Sequence, residues 1–445
     1  MSDELLSLLI SDFQARPLPE LVPRDLRVPM LPQKATALIG MRRAGKTYAM
    51  YDVMRRLRAD GVPPTALFYL NLEDDRLGTP TTGTLDRALE LFFRRAPGSR
   101  ERRCYLFLDE IQVVPDWERF VRRVLATEDV QIVLGGSSAK LLSTEIATSL
   151  RGYALTVEVL PFGLRETMRS QGAEPSAEPW PPGAQVRSRA GSILESYLQN
   201  GGFPEVQGVH PFDRVQVLQG YVETVILRDV MERHGITNLV ALRHLAHALF
   251  DANAREFSVS RLHGALVSQG VRVAKHTLLE YLGYLTDAYL VFLVSIRTRS
   301  EKQRLVNPRK VYAVDPGLAA AMYSGGAINT GAQLECFVYL ELRRRLGVLT
   351  SGAVAYYRTN SGLEVDFAVD PVVPGQPMTL VQACASLEAP ATRERELRAL
   401  SEAMTETGCR QATVVTLNDR ESVELTAGAV RVVPAWEWAL EPEGA

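Results

Sequence analysis

An eight-residue motif of the form G-x-x-x-x-G-K-[ST] occupies residues 40–47 and reads GMRRAGKT. Its glycines let the backbone wrap closely around a phosphate chain, so that several N–H groups point inward. The lysine places an ammonium against the β- and γ-phosphates, and the threonine hydroxyl completes the shell of a Mg²⁺ ion. The motif predicts a phosphate-binding loop for a nucleoside triphosphate such as ATP, made of Gly40, Met41, Arg42, Arg43, Ala44, Gly45, Lys46 and Thr47.

A pair of carboxylates follows an apolar run further along the chain. Residues 104–108 read CYLFL, and Asp109 and Glu110 come next. A buried strand that delivers two carboxylates at its C-terminal end is the Walker B arrangement. We expect Asp109 to hold Mg²⁺ together with Thr47, and Glu110 to polarise the attacking water. The alternative is a strand that ends in a solvated acidic turn.

A third apolar run, residues 130–134, leads into Gly-Gly-Ser-Ser at residues 135–138. A polar side chain at this point would lie beside the γ-phosphate and could report hydrolysis, as the sensor 1 residue does. Ser137 and Ser138 are the candidates, although serine is also common in ordinary turns.

These groups need a scaffold that places strand ends side by side. A short apolar segment, residues 35–39, precedes the loop, and apolar residues recur at helical spacing after it. Strands that alternate with helices and carry ligand groups at their ends indicate a parallel sheet covered on both faces. The sequence therefore predicts an α/β domain.

Bulk composition limits the possible classes of protein. The chain has 445 residues and a formal net charge of −2, so any surface for nucleic acid must be local. Its four cysteines, Cys104, Cys336, Cys384 and Cys409, show no C-x-x-C spacing, which favours a reducing compartment and argues against zinc. Signal-peptide features and apolar runs of ~20 residues are missing from the sequence. We expect a cytoplasmic protein without membrane association.

The clearest break in the pattern is a stretch rich in Pro, Ala, Gly and Ser. It predicts a linker, and we divide the chain around it. The predicted parts are an N-terminal segment (1–24), a nucleotide-binding domain (25–169), the linker (170–190), a helical and winged helix-turn-helix domain (191–305) and a C-terminal domain (306–445).

The region from Ser258 to Val294 reads as helix, tight turn, helix and strand, which is the winged-helix order. A basic run follows before the next strand and predicts a hairpin wing that contacts DNA phosphates. If DNA binds, phosphate contact and shape dominate over base readout. The alternative is a packing module or a dock for a protein partner. The candidate DNA contacts are Lys275, His276, Arg297, Arg299, Lys302 and Arg304, and the same basic run includes Arg309 and Lys310.

The last domain carries a different carboxylate pattern. Glu335 lies in a predicted helix, and Glu364 and Asp366 share one face of a predicted strand. Helix, strands and carboxylates in this order form the skeleton of a PD-(D/E)XK nuclease, whose next strand reads E-x-K. Here that strand reads Gln382-Ala-Cys384. A neutral amide is a poor Mg²⁺ ligand and a thiol cannot replace an ammonium, so the sequence predicts the nuclease fold without cleavage.

The whole chain resembles bacterial and archaeal AAA+ ATPases with a C-terminal nuclease-like domain of unknown function. The resemblance implies ATP hydrolysis, a P-loop AAA+ sheet, a winged helix and a restriction-endonuclease-like α/β domain with a degenerate Q-x-C ending. The residues that carry it are 42–47, 71–77, 108–112, 135–138, 160–162, 201–205, 227–229, 315–318 and 364–367.

One departure from these relatives concerns the arginine finger. Such proteins often have L-x-G-R after sensor 1, whereas here the motif ends in Tyr153. An arginine finger stabilises transition-state charge and can be worth 10³-fold or more in rate. Arg151 and Arg165 are the candidates, with ordinary surface arginines as the alternative. Either finger implies a homo-oligomer, and a ring is the expected form, because the finger comes from a neighbouring subunit.

Together these patterns predict a Mg²⁺-dependent ATPase that couples ATP turnover to work on DNA, with branched or single-stranded DNA in repair or recombination as the specific expectation. A second hypothesis is a nucleotide-switched regulatory module that grips a protein partner. A third is an active Mg²⁺-dependent nuclease, against which Gln382 and Cys384 argue.

Overall fold

A computed structural model describes most of the chain and divides it into two compact units, Met1–Leu160 and Pro161–Ala445. Among the described residues, none of the helices combines the length and the apolar character that crossing a bilayer requires. The described residues are 2–95, 102–136, 150, 152–175, 180, 182–298, 300–372 and 375–441.

The described part of the first unit is built on a parallel sheet in the order β2-β3-β4-β1-β5. This confirms the predicted α/β class. The strands are β1 (Ala35–Ile39), β2 (Leu67–Asn71), β3 (Cys104–Asp109), β4 (Val130–Gly135) and β5 (Ala154–Glu158), and the helices are α1 (Asp3–Ala15), α2 (Lys46–Ala59), α3 (Thr82–Arg95) and α4 (Trp117–Thr127), with 3₁₀ turns at Pro64–Ala66, Asp75–Leu77 and Ile111–Val113.

Burial explains why the central strands read as continuous apolar runs. All five residues of β1 and all six of β4 are buried, as expected for parallel strands covered on both faces. Helix α2 packs Met50, Val53 and Met54 against the sheet. Because β4 lies between β1 and β3, the segment that follows β4 begins between the P-loop and Asp109.

The N-terminal segment is part of this unit. Helix α1 lies against the sheet and α3, where Gln14 Nε2 donates to the Leu67 carbonyl and Asp3 pairs with Arg87. Ser2 caps the helix by accepting the Leu5 N–H. The sequence predicts residues 1–24 as a separate segment, but these long-range contacts join them to the nucleotide-binding domain.

The first unit ends at Leu160, nine residues before the predicted boundary at residue 169. The Phe162 N–H donates to the Gly202 carbonyl, and the Tyr197 hydroxyl donates to the Phe162 carbonyl. These bonds attach the chain after Leu160 to the helices that follow. Those helices are α5 (Leu164–Ser170), α6 (Ala184–Asn200) and α7 (Pro211–Thr224), with a 3₁₀ turn at Pro204–Val206 and a π-helical segment at Val225–Glu232.

A winged-helix arrangement comes next. Three antiparallel strands pair in the order β6-β8-β7, and the predicted turn at Gly270 is left-handed. The connection between β7 and β8 contains a short helix, where the sequence predicts a plain basic hairpin. The elements are α8 (Leu239–Asp251), β6 (Arg255–Phe257), α9 (Val259–Ser268), α10 (Lys275–Asp287), β7 (Val291–Val294), α11 (Glu301–Val306) and β8 (Arg309–Ala313).

The C-terminal region has a mixed sheet in the order β13-β14-β12-β11-β10-β9. One helix, three strands, a second helix and a further strand succeed each other, and the sequence predicts the first helix and the three strands of this series. The elements are α12 (Pro316–Met322), α13 (Thr330–Leu346), a 3₁₀ turn (Gly347–Leu349), α14 (Thr350–Ala353), β9 (Val354–Arg358), β10 (Glu364–Val369), β11 (Thr379–Ala383), α15 (Pro390–Thr407), β12 (Gln411–Thr416), β13 (Glu421–Leu425), β14 (Gly428–Pro434) and α16 (Ala435–Leu440).

Candidate functional site

The phosphate-binding loop connects β1 to the first turn of α2. Gly40 has φ of 151°, and a Cβ at this position would lie 2.1 Å from the Val159 carbonyl oxygen. Gly45 has φ of 98° and caps the N-terminus of α2. Arg43 takes a left-handed φ of 66°, which costs a non-glycine residue energy and is concentrated at functional sites. The loop therefore has the backbone conformation that close contact with an anion requires.

The ammonium of Lys46 is buried inside this loop. Its Nζ donates to the carbonyl oxygens of Gly40, at 2.9 Å, and Met41, at 3.0 Å. Lys46 is also the first residue of α2, so its charge lies at the positive end of a helix. A fixed cation and a helix N-terminus act together on an anion at this point.

Asp109 and Thr47 meet directly, although they are 62 positions apart. The Thr47 hydroxyl donates to Asp109 Oδ2 at 2.7 Å, and the Tyr69 hydroxyl donates to the same oxygen at 3.3 Å. Burial raises the pKa of Asp109, while the bond from Thr47 opposes that rise. The contact brings a hydroxyl and a carboxylate together beside the phosphate loop, and both are hard oxygen ligands of the type that Mg²⁺ prefers.

Glu110 follows at the end of β3 in a left-handed conformation, with φ of 51°. Its backbone N–H donates to Asp109 Oδ1 at 3.2 Å. Gln112 Nε2 donates to Glu110 Oε2 and holds the carboxylate in one orientation. The sequence pattern assigns no role to Gln112, which lies in a turn, or to Tyr69, which resembles an ordinary strand residue.

Several predicted residues of this site fall elsewhere. Ser137, Ser138 and Arg151 lie outside the described residues. Tyr153 is half-exposed just before β5, and the Lys34 ammonium lies 5.8 Å from its ring centroid. This position is at the N-terminal ends of β5 and β1, whereas the phosphate loop follows the C-terminal end of β1. Arg165, in the second unit, donates to the Leu440 carbonyl and lies 3.9 Å from Glu174.

The winged-helix candidates fall into two groups. Lys275 and His276 are exposed in the first turn of α10. Arg297 instead pairs with Asp370 at 2.9 Å, and Arg304 pairs with Glu301 at 3.1 Å. Lys302 is exposed and Arg299 lies outside the described residues.

The predicted wing is also fixed to the neighbouring sheet. The Arg297 N–H donates to the Tyr356 carbonyl at 2.7 Å, and the Tyr356 N–H donates to the Ser295 carbonyl at 3.1 Å. These bonds join the chain after β7 to strand β9. The basic segment is therefore held on the C-terminal sheet instead of extending freely.

Lys310 differs most from its prediction. The sequence places it in a basic surface run, but its side chain is only 4% exposed. Its Nζ lies 2.8 Å from Glu335 Oε1, 2.8 Å from Glu364 Oε1 and 3.0 Å from Asp366 Oδ1. Burial opposes the charge of Lys310, but the three carboxylates prevail and raise its pKa. The predicted carboxylate cluster forms, with an ammonium of the chain itself in its centre.

The two degenerate positions face other partners. Gln382 Oε1 accepts the Asp366 N–H at 3.1 Å, and Gln382 Nε2 donates to Glu396 Oε2 at 2.8 Å. Cys384 is buried, its thiol contacts the Ser386 carbonyl, and burial raises its pKa. Within the described ranges, no group of three or more His, Cys, Asp or Glu side chains could hold a metal ion.

The first unit thus defines a class of protein. A loop of this sequence between a buried strand and a helix, a carboxylate at the end of β3, and the strand order 2-3-4-1-5 define a P-loop protein of the AAA type. A family model described as an AAA domain matches residues 32–168. A second model, a domain of unknown function named DUF8612, matches residues 191–330.

The similarity to an archaeal protein extends over nearly the whole chain. An uncharacterized protein of Methanocaldococcus jannaschii is 30% identical over 436 residues, which cover 95% of this chain and 91% of that protein. An uncharacterized protein of Haemophilus influenzae is 26% identical over 306 residues, covering 69% and 73% of the two chains. The chain belongs to the same family as the archaeal protein, and its residues 32–168 form an AAA domain.

Solved structures are more distant. The Walker-type ATPase PABY2304 of Pyrococcus abyssi is 16% identical with a TM-score of 0.41, covering 65% of this chain and 90% of that one. The ORC2 protein of Aeropyrum pernix is 13% identical with a TM-score of 0.33, covering 76% and 92%.

Proposed function

We propose that the protein is a Mg²⁺-dependent ATPase that couples ATP hydrolysis to the binding or remodelling of DNA. The ATPase part rests on one observation, the 2.7 Å contact between Thr47 Oγ1 and Asp109 Oδ2 beside the buried Lys46. It unites the three groups that phosphoryl transfer to water requires, namely a phosphate-binding cation and two oxygen ligands for a metal.

Each residue has a role that its position supports. Lys46 exchanges the Gly40 and Met41 carbonyls for the β- and γ-phosphate oxygens of ATP. Thr47 and Asp109 would hold Mg²⁺, which would neutralise charge that develops on the phosphates. Glu110 orients the attacking water, and its bond from Gln112 keeps the carboxylate directed toward one side. In this proposal the protein accelerates hydrolysis by positioning ATP and the attacking water and by stabilising the charge that develops on the phosphates.

The first experiment measures ATP binding and hydrolysis for the wild type and Lys46→Ala. We expect the variant to lose both, because Lys46 places a buried ammonium inside the loop. Lys34→Ala is the matched control, since Lys34 is a half-buried lysine just before the other end of β1. A wild-type chain that does not bind ATP, or a Lys46→Ala variant that binds it equally well, contradicts the proposal.

The DNA part rests on the exposed Lys275 and His276 in the first turn of α10. The N-terminus of a recognition helix is the part that reaches DNA in winged helices, and a cation there favours phosphate. We expect duplex, single-stranded or four-way-junction DNA to stimulate hydrolysis and to bind with strong salt dependence. The double variant Lys275→Ala/His276→Ala weakens this binding, whereas Arg398→Ala, exposed on α15, is the control.

A second candidate function has its own support. Arg297 is paired with Asp370, and Arg304 is paired with Glu301. The wing therefore has less uncompensated positive charge than its sequence predicts. A regulatory ATPase that binds a protein partner is consistent with that pairing. Slow hydrolysis that no DNA form changes, together with one co-purifying protein, favours this alternative.

We also propose that the C-terminal domain does not cut DNA. Lys310 engages all three carboxylates, and Gln382 is bound to Glu396 and Asp366. A magnesium ion would have to displace a buried ammonium from its three partners. DNA cleavage that disappears in Asp366→Ala contradicts this proposal.

An oligomer, with a ring as its expected form, completes the proposal. Arg151 and Arg165 are the candidate arginine fingers, and a finger that serves a neighbour's nucleotide requires an oligomer. The molecular mass in solution, with and without a non-hydrolysable ATP analogue and DNA, tests this point. A monomer under all conditions contradicts it.

A further inference from the structure

One buried cation of the nucleotide-binding unit has no role in the site described above. Arg24 lies in the segment that precedes β1, and it is only 6% exposed. Its Nη1 donates to the Ala44 carbonyl at 3.1 Å, and its Nη2 donates to the Leu160 carbonyl at 2.7 Å. The guanidinium therefore connects the phosphate loop with the chain that follows β5.

The hydrogen bond to the Ala44 carbonyl fixes the orientation of the Ala44–Gly45 peptide in the phosphate loop. In a planar trans peptide, the carbonyl of Ala44 and the N–H of Gly45 point in opposite directions. Arg24 binds the carbonyl, so the Gly45 N–H points away from the guanidinium. Inward N–H groups are the ones that bind phosphate oxygens in such a loop.

The arginine itself is held by the helix that carries Lys46. The Arg24 N–H donates to Asp52 Oδ2 at 3.2 Å, and Arg56 Nη2 donates to the Arg24 carbonyl at 2.6 Å. Asp52 is buried on α2 and pairs with Arg56. The backbone of Arg24 is thus fixed to α2, while its side chain is fixed to the loop and to Leu160.

We propose that Arg24 is a positioning residue for triphosphate binding, a role that rests on the ATPase function proposed above. It holds the Ala44–Gly45 peptide in the orientation that phosphate requires, and it places a permanent positive charge behind the loop. Through Leu160, it also ties the loop to the last residue of the nucleotide-binding unit. ATP therefore meets a loop that is already ordered.

The experiment compares Arg24→Ala, Arg24→Lys and Arg27→Ala by calorimetric binding of ATP and ADP and by steady-state hydrolysis. Arg27 is exposed in the same segment and is the matched control. We expect Arg24→Ala to weaken ATP and ADP binding about 10- to 100-fold, the range for hydrogen bonds to a charged group. We expect the ATP and ADP affinities of Arg24→Lys to lie between those of Arg24→Ala and the wild type, because one ammonium replaces a guanidinium that donates through two nitrogens.

The separate effects of the substitution on KM and on kcat distinguish a positioning role of Arg24 from a loss of protein stability. Lost phosphate binding raises KM and leaves kcat at saturating ATP close to wild type, since ground state and transition state lose the same contact. A variant that is merely less folded has a lower kcat and an unchanged KM, which overturns the inference. Should Arg24→Ala not fold, Arg24→Lys decides, and wild-type affinity in that variant overturns the inference.

The proposed function can fail separately. If Lys46→Ala loses ATP and Arg24→Ala retains full affinity, the ATPase proposal stands and the role of Arg24 is wrong. If the wild type does not bind ATP, both are wrong.

Discussion

Lys310 Nζ lies 3.0 Å from Asp366 Oδ1, and the two residues come from different parts of the second unit. Lys310 belongs to β8 of the winged-helix sheet, whereas Asp366 belongs to β10 of the C-terminal sheet. Glu335 and Glu364 contact the same ammonium. One cation therefore stabilises three carboxylates that would otherwise repel each other in a buried place.

The first prediction concerns the loss of this cation. Lys310→Met leaves the carboxylates without their partner, and we expect the free energy of unfolding to fall by about 3–5 kcal/mol. Lys302→Met, at an exposed position, changes it by less than about 0.5 kcal/mol. Urea unfolding of both variants measures the difference.

A second substitution tests the cause of that loss. If carboxylate repulsion is responsible, Glu335→Gln recovers part of the stability in the Lys310→Met background, because it removes one negative charge from the cluster. Equal unfolding free energies for Lys310→Met and Lys302→Met, or no recovery with Glu335→Gln, contradict the assignment.

The carboxylates of this cluster could be predicted from sequence, but their cation could not. Glu364 and Asp366 are two positions apart on one strand, so strand periodicity alone places them on one face. Lys310 is 25 positions from Glu335 and 56 from Asp366. Its neighbour Arg309 is basic and exposed, and only the pairing of β8 within the folded unit turns Lys310 inward.

The second prediction tests close packing at Gly201. Its φ is 72°, and a Cβ there would lie 1.9 Å from Asp315 Oδ1. Gly208 has a similar φ of 74°, with no atom within 4 Å of such a Cβ. Gly208→Ala therefore reports backbone strain alone, about 1–2 kcal/mol. We expect Gly201→Ala to lose clearly more unfolding free energy, and equal losses contradict the predicted collision.

The third prediction concerns pH. Burial raises the pKa of Asp315 to about 6 from 3.8, although N–H bonds from Gly202 and Leu318 favour its charged form. A carboxyl group with a raised pKa in the folded state binds its proton more tightly there than in the unfolded chain. Its contribution to the free energy of unfolding is full below about pH 4 and is lost as the pH rises through about 6, about 3 kcal/mol in total.

Asp315→Asn tests this dependence, because the variant has no group that titrates at this position. Asparagine also loses one acceptor for the two N–H donors, which lowers stability equally at every pH. We expect the difference in unfolding free energy between wild type and variant to shrink as the pH rises from 4 to 7. Parallel pH curves contradict the raised pKa.

The nucleotide site likewise has one part that the local sequence predicts and another that depends on contacts between residues far apart in the chain. Residues 40–47 are contiguous, so their spacing alone predicts a loop with inward N–H groups. The contact between Thr47 and Asp109 follows from two motifs placed at the same edge of the parallel sheet, after β1 and at the end of β3. Arg24 carries no such signal, since a single arginine in a polar segment reads as exposed. Its burial depends on Leu160, which is 136 positions away.

The basic segment between β7 and β8 shows a further structural feature that sequence patterns do not predict. A run of basic residues between two strands predicts a solvated hairpin, but short-range bonds favour a helix in its middle. The Ser300 hydroxyl accepts the Gln303 N–H and caps that helix. Asp370, which neutralises Arg297, lies 73 positions further along the chain. Charge partners at such separations are not visible in a linear pattern.

The last prediction concerns the attacking water. Glu110→Gln keeps the size of the side chain but removes its charge, so the water loses its base. We expect hydrolysis at saturating ATP to fall about 10²- to 10⁴-fold, with ATP affinity close to wild type. Gln112→Ala removes one hydrogen bond to Glu110 and slows hydrolysis only about 2- to 10-fold. Glu20→Gln, at an exposed position, is the control.

Single-turnover hydrolysis and equilibrium ATP binding together separate the possible roles of Glu110. If Glu110→Gln loses ATP binding as well as hydrolysis, Glu110 supports the bound nucleotide and does not act on water. If it hydrolyses ATP at the wild-type rate, another group activates the water. Because Gln112 acts only by orienting Glu110, Gln112→Ala should cause no further loss in the Glu110→Gln background. An additional loss in the double variant shows that Gln112 contacts the nucleotide or the water itself.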